Sequence, residues 1–315
     1  MKFLFATLFS FLFVATLFAQ SPSIEREYAE VRARYVDGSV EPTPLRASVD
    51  LNLQADLMTE LKKNPKYRKL IADRRLAVSL VDLSRPGLPR FAAVNGDHMM
   101  YAASLPKIAV LFASVEAIET GRLKRTPDID RDMKLMIAKS DNHATTRMID
   151  RVGMKFIQEL LQRPEYRFYD QTRGGGLWVG KRYAASSAGR IGDPLKNISH
   201  AASATQVARF YYQMYTRQLV SPEGSKRMLS IMKNPKLYHK FVNTLLRVAP
   251  EADIYRKSGS WRNFHSDSAL VIDPTTPWRR YILVGLAEDP EGGNIMKDLV
   301  LHAERALRKR NDVRL

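Results

Sequence analysis

Between Ser104 and Thr120 the apolar residues Ile108, Val110, Leu111, Ala113, Val115 and Ile118 fall on almost every face of a helix. Such a helix has to sit inside the molecule, wrapped by other elements, and Gly121 gives it a natural stop. Strand patterns lie instead towards the two ends of the chain. Arg75–Leu83 is rich in aliphatic and β-branched residues and runs into the turn Ser84-Arg85-Pro86-Gly87, with Arg90–Val94 as its hairpin partner. Near the C-terminus Ile254–Lys257, Asp267–Ile272 and Tyr281–Leu286 read as strands, the last two joined through Asp273-Pro274-Thr275-Thr276-Pro277. Helical periodicity marks Leu51–Lys62, where Leu53, Leu57 and Leu61 share a face, and Asn294–Arg308. It also marks Asp128–Ala138, His143–Val152, Lys155–Leu161, Ala204–Tyr215, Pro222–Met232 and Lys240–Val248. Arg163 to about His200 is dense in Gly and Ser without a period, and is expected to be a long loop.

The economical fold is α/β of the α+β type. One antiparallel sheet is built from both chain ends and flanked by the terminal helices, with an all-helical lobe inserted. The sheet lobe is expected at about 49–100 and 221–315, together 49–315 with a helical lobe at about 101–220.

Met1-Lys2 precedes an apolar run from Phe3 to Ala19, broken by Thr7, Ser10 and Thr16. A positive start, a short apolar core and a small residue at its end read as a secretory signal over 1–20, cut after Ala19 or Gln20. An uncleaved anchor is the alternative, the run being barely long enough for the roughly 17–25 residues of a span. Residues 21–48, polar and carrying Pro22, Pro42 and Pro44, read as an N-terminal arm. A periplasmic or secreted protein is expected. The absence of Cys removes disulfides and thiol chemistry, so stability has to come from packing. Lys and Arg number 50 against 33 Asp and Glu, a net charge of +17. That field suits an anionic cell-envelope polymer, although a surface tuned for solubility is the plainer reading. The basic residues are scattered and match no nucleic-acid-binding motif, so no nucleic acid is expected.

Three short motifs carry chemistry. Ser104-Leu105-Pro106-Lys107 places a hydroxyl and an amine one helical turn apart. A serine needs a nearby base to attack a carbonyl, and a lysine serves only if burial or other cations lower its pKa. Lys257 is a cation that could do so. Ser140-Asp141-Asn142 offers a hydroxyl and a carboxamide on a tight connection, though the same residues are ordinary helix-capping chemistry. Lys257-Ser258-Gly259 lies on a strand where Gly permits a ligand close to the backbone and Lys and Ser suit a carboxylate. Each motif alone is weak, as Ser230-Ile231-Met232-Lys233 shows by repeating the spacing of the first. Only Ser104-x-x-Lys107 is followed in order by the other two.

The ordered set resembles the superfamily of class A β-lactamases and penicillin-binding proteins, over the chain from about Leu76 to its last helix. The resemblance implies that Ser104 is acylated with the help of Lys107, and that Ser140 passes a proton to the leaving nitrogen. Asn142 would contact the substrate amide and Lys107. Lys257 and Ser258 would hold a substrate carboxylate beside Gly259, and the N–H groups of Ser104 and Ser260 would form the oxyanion hole. It also implies a monomer that uses no cofactor and no metal. Its partner is a small β-lactam or a peptidoglycan stem peptide.

The chain departs from the class A pattern in one place. Between Arg163 and Ala204 the only acids are Glu165, Asp170 and Asp193, and none stands in a Glu-x-x-Leu-Asn sequence. The Gly174–Lys181 segment resembles no deacylation motif. β-Lactam hydrolysis is the leading expectation. A D-alanyl-D-alanine peptidase and a slowly deacylating binding protein are the alternatives. The six His show no metal-binding spacing, and His143 and His265 read as structural.

Overall fold

The computed structural model describes residues 42–183 and 189–311. The expected signal segment and residues 21–41 of the arm lie outside these residues. Five strands form one antiparallel sheet: β1 (Leu76–Asp82), β2 (Arg90–Val94), β8 (Asp253–Trp261), β9 (Phe264–Ile272) and β10 (Arg280–Glu288), in the order β2-β1-β10-β9-β8. The chain ends meet where β1 pairs with β10, Leu76 opposite Ala287 and Leu80 opposite Leu283.

Both faces of this sheet are covered, and the period-two alternation of strand side chains sorts its residues between two cores. Leu76, Val78, Leu80, Tyr281 and Leu283 join the core made with α1 (Leu51–Lys62), α2 (Pro65–Ala72), α9 (Phe241–Val248) and α10 (Gly292–Arg310). Ala77, Val81, Ile282, Val284 and Leu286 join the other. That second core contains α3 (Lys107–Glu119), buried from Lys107 to Ala117 as its sequence requires. Around it stand α4 (Pro127–Ala138), α5 (Asn142–Val152), α6 (Met154–Gln162), α7 (Ala204–Tyr215) and α8 (Pro222–Met232). Helix α8 packs Met228, Ile231 and Met232 into this second core, which it shares with sheet residues such as Leu270 and Ile282. Among the described residues no helix is long and apolar enough to cross a membrane.

The stretch Arg163–His200 is not a plain loop. Two-residue strands fold it back on the body: β4 (Tyr169–Asp170) pairs with β5 (Gly175–Gly176), and β6 (Trp178–Val179) pairs with β7 (His200–Ala202). On its other side β7 pairs with β3 (Met100–Tyr101), directly before Ser104. Part of the glycine run is demanded by close approach. A Cβ on Gly176 would lie 2.0 Å from the Phe168 carbonyl oxygen. The helix α2 is absent from the sequence reading, although Asn64 caps it and Pro65 opens it. Strands β8 and β9 also run further than their aliphatic patterns, to a two-residue hairpin at Arg262-Asn263.

The two terminal helices are pinned by a buried carboxylate. Glu60 on α1 accepts from Lys63 (2.7 Å) and from Arg305 and Lys309 of α10 (3.0 Å each). Burial pushes its pKa up, but the three cations override this and hold it at about 2. Because the folded value lies below the unfolded one, the resulting stability is complete above about pH 4.3 and is lost as pH falls through about 2. We predict that Glu60→Gln costs about 2 kcal/mol at pH 7, less than the full shift because the cations are partly solvated. Urea unfolding checks this: the gap from wild type should close towards pH 2, and an equal gap at both pH values would contradict it.

Candidate active site

Ser104 stands in the turn between β3 and α3, and the helix begins at Lys107 rather than at Ser104. Ala103 in this turn has φ +51°, a conformation that costs a residue with a side chain about 1–2 kcal/mol. Neighbours on three sides hold it. Ala102 N–H donates to the His200 carbonyl (2.8 Å), Ser266 Oγ donates to the Ala102 carbonyl (2.9 Å), and Tyr183 OH donates to the Ala103 carbonyl (3.1 Å). Strand β8 passes so close that a Cβ on Gly259 would lie 2.3 Å from Ala102 O and 2.6 Å from Ser104 N. Only glycine fits there. Among the described residues the Ser104 N–H donates to no protein acceptor, which leaves it open towards a substrate oxygen.

One turn on, the Lys107 amine is completely buried. Its Nζ donates to Ser140 O (2.6 Å), Ser140 Oγ (3.3 Å) and Asn142 Oδ1 (2.7 Å). Ser140, at φ +55°, turns the chain between α4 and α5, while Asp141 caps α5 by accepting from Ala144 N–H (2.6 Å). Capping thus falls to Asp141, while Ser140 and Asn142 meet the Lys107 amine. Lys257 reaches the same hydroxyl from β8: its Nζ donates to Ser140 Oγ (2.9 Å) and to its neighbour's carbonyl at Ser258 (2.6 Å). One hydroxyl thus sits between two amines that belong to different lobes.

Burial lowers the Lys107 pKa to about 7, with Asp141 opposing. The expected help from Lys257 acts mainly the other way. Lys257 lies well below the usual lysine range, through burial first and then through Lys107 and Arg256. The Lys107 amine makes its hydrogen bonds to Ser140 and Asn142 and none to the Ser104 hydroxyl.

A cleft of about 530 Å³ opens over Ser104, Asn142 and Ser260, with aromatic walls from Tyr101, Trp261 and Phe264. Lys181, Arg182 and Arg190 also line it, and among the described residues no carboxylate does. The three acids of the 163–204 stretch are spent elsewhere. Glu165 is exposed, Asp170 caps a 3-10 turn, and Asp193 is buried, accepting from Tyr169 OH (2.8 Å) and Ile198 N–H (2.6 Å). Ser258 is buried on β8 but its hydroxyl bonds none of the other motif residues. Ser230-x-x-Lys233 stands apart on α8, with Lys233 paired to Asp253 at 2.8 Å.

Three residues escape the sequence reading. The Tyr183 ring lies under Lys107 Nζ, 4.7 Å from its centroid, and stacks on His200 at 4.2 Å. His200 is buried with its Nδ1 unpartnered, and burial followed by Lys107 and Lys181 lowers its pKa to about 4, which keeps it neutral. Lys240 is buried behind the third motif, where its amine donates to the carbonyls of Gly259 and Ser266. Burial brings its pKa to about 8 against the pull of Asp267. None has a local signal, because each arrives from a distant part of the chain.

Solved structures share this architecture. The structure of PBP-A superimposes with a TM-score of 0.60 at 21% identity, covering 83% of this chain and 97% of that one. A β-lactamase from Sphaerobacter thermophilus gives 0.59 at 17%, covering 81% and 96%. A class A β-lactamase representative from Bacteroides cellulosilyticus gives 0.61 at 13%, covering 82% and 99%. No curated protein matches the sequence. The family model described as the β-lactamase enzyme family matches residues 127–306, which include the second and third motifs and begin after the first. With its three motifs gathered around Ser104, the chain belongs to the β-lactamase enzyme family, and is a serine hydrolase.

Proposed function

We propose that this chain is an exported serine hydrolase whose Ser104 is acylated by a β-lactam or a related amide. The observation that carries the proposal is the Ser140 hydroxyl held between Lys107 and Lys257. In the first step the neutral Lys107 amine takes the Ser104 proton while Oγ bonds to the substrate carbonyl carbon. The carbonyl oxygen gains negative charge against the N–H groups of Ser104 and Ser260. The amide C–N bond then breaks, and Ser140 gives its proton to the departing nitrogen and is reprotonated from a lysine. Lys257 and Ser258 hold the substrate carboxylate, whose arrival favours the charged form of Lys257. The apolar run Phe3–Ala19 after Lys2 supports export.

A second reading concerns the fate of the acyl-enzyme, and the cleft lining favours it. Hydrolysis needs a water and a base beside the ester, yet no carboxylate lines the cleft among the described residues, and the Tyr183 ring rests against Lys107. The acyl group leaves slowly under this reading, as in a D-alanyl-D-alanine peptidase or a protein that binds cell-wall peptide. Among the matched structures is a mutant of PBP-A as an acyl-enzyme complex with penicillin G.

Three outcomes are expected. Intact-mass spectrometry after mixing with penicillin should show a one-to-one adduct that persists while free penicillin is little consumed, and Ser104→Ala should show none. A fast-decaying adduct with penicillin turnover would establish the β-lactamase reading, and release of D-alanine from a D-alanyl-D-alanine peptide would identify a peptidase. The acylation rate should rise with pH through about 7 and then level off, because Lys107 acts when neutral. A flat profile from about pH 5 to 9 would remove Lys107 as the base. Gly259→Ala should fold but acylate about 10²-fold more slowly, since its Cβ displaces the Ser104 amide; unchanged acylation would refute the close-approach argument.

A further inference from the structure

Lys240 lies outside the three motifs, at the entry to α9, and its setting is unusual for a lysine. It is 3% exposed, a burial that a lysine ordinarily accepts only beside a carboxylate. Its amine instead donates to two backbone carbonyls, those of Gly259 and Ser266. The carboxylate of Asp267 is engaged by Arg256 (2.7 Å) and by the Phe241 N–H (3.1 Å). The Lys240 backbone, at φ +58° and ψ −127°, is in a conformation that glycine adopts freely and a residue with a side chain adopts under strain. The fold thus accepts both desolvation and strain to hold an amine behind β8.

Where that amine points gives it a role. The Gly259 carbonyl and the Ser260 N–H belong to one trans peptide, so they face opposite ways. A donor that fixes the carbonyl also fixes the direction of the N–H, and by polarising the amide makes that N–H a stronger donor. Gly259 lies against the nucleophile's turn, where a Cβ would come 2.6 Å from Ser104 N, and Ser260 lines the same cleft as Ser104. The second carbonyl leads to that turn as well, because Ser266 Oγ donates to Ala102 O (2.9 Å), two residues before Ser104. One buried amine is therefore linked to both sides of the cleft floor.

We propose that Lys240 is a positioning residue for acylation: without touching substrate, its amine aims and polarises the Gly259–Ser260 peptide, so that the Ser260 N–H meets the charge developing on the substrate carbonyl oxygen. This role rests on the reading of Ser104 as the acylated group and of the Ser104 and Ser260 N–H groups as the oxyanion donors.

Two variants of the full chain test it. Lys240→Met keeps the side-chain length and removes the donor, whereas Lys240→Gly removes the donor and relieves the backbone strain. Each is mixed with penicillin over a range of concentrations, and adduct formation is timed by intact-mass spectrometry. Both should acylate at least about tenfold more slowly at saturating penicillin. The half-saturating concentration should change little, since Lys257 and Ser258 still hold the carboxylate. The second readout is the infrared stretch of the acyl-enzyme ester carbonyl, isolated by isotope labelling of the penicillin carbonyl. It reports only folded, acylated protein, so a loss of stability does not move it. In both variants it should shift to higher wavenumber, as the oxygen loses hydrogen bonding. Acylation as fast as wild type would overturn the proposal, and so would slow acylation with an unmoved carbonyl stretch, which would leave Lys240 a structural support only. A wild type that forms no adduct would instead bring down the Ser104 reading and this role with it.

Discussion

The arrangement around Ser104 depends on holding one amine out of water. Lys107 sits at the start of a helix with no exposed face, and a charged amine there costs several kcal/mol unless it is paired or loses its proton. The fold supplies three oxygen acceptors, all from Ser140 and Asn142, and no carboxylate among its hydrogen-bond partners. The amine is therefore solvated well enough to stay but not well enough to remain fully charged. That balance brings its pKa to about 7, and it exists only while the α4–α5 connection is seated against α3. The packing of the helical core and the chemistry of the site are one requirement.

The sheet lobe contributes position. The strained Ala103 peptide persists because Ser266, Tyr183 and β7 grip the carbonyls and amide around it, and because Gly259 lets β8 come within backbone contact. Behind β8, Lys240 ties the Gly259 and Ser266 carbonyls together, while Arg256 and Asp267 form a buried pair at 2.7 Å. The edge of β8 beside Ser104 is thus supported from behind as well as from the turn that carries Ser104.

What the sequence made legible follows from how local the signal was. Helices α1, α7 and α8 match their periodicity to the residue, since an apolar face repeated over three turns leaves little freedom at the ends. The motif residues were readable because their partners lie within one turn or one strand. Their convergence was an inference from resemblance, and the contacts among Lys107, Ser140, Asn142 and Lys257 supply the geometry. The stretch 163–200 was misread because two-residue strands have no room to show alternation and its glycines answer to neighbours such as Phe168. Tyr183, His200 and Lys240 were invisible for a related reason: a tyrosine under an amine and a lysine behind a strand are products of tertiary approach, with nothing in the adjacent sequence to mark them.

The pairing of β1 with β10 has a consequence for the order of events when the chain is made. More than 200 residues separate Leu76 from its partner Ala287, so the central pair of the sheet closes only after nearly the whole polypeptide is present. Gly259 meets Ser104, and Lys257 meets Ser140, on β8, which hangs through β9 from that same late pair. Until then Ser104 lacks the strand that packs against its backbone amide, and Ser140 lacks the second of the two amines that reach its hydroxyl.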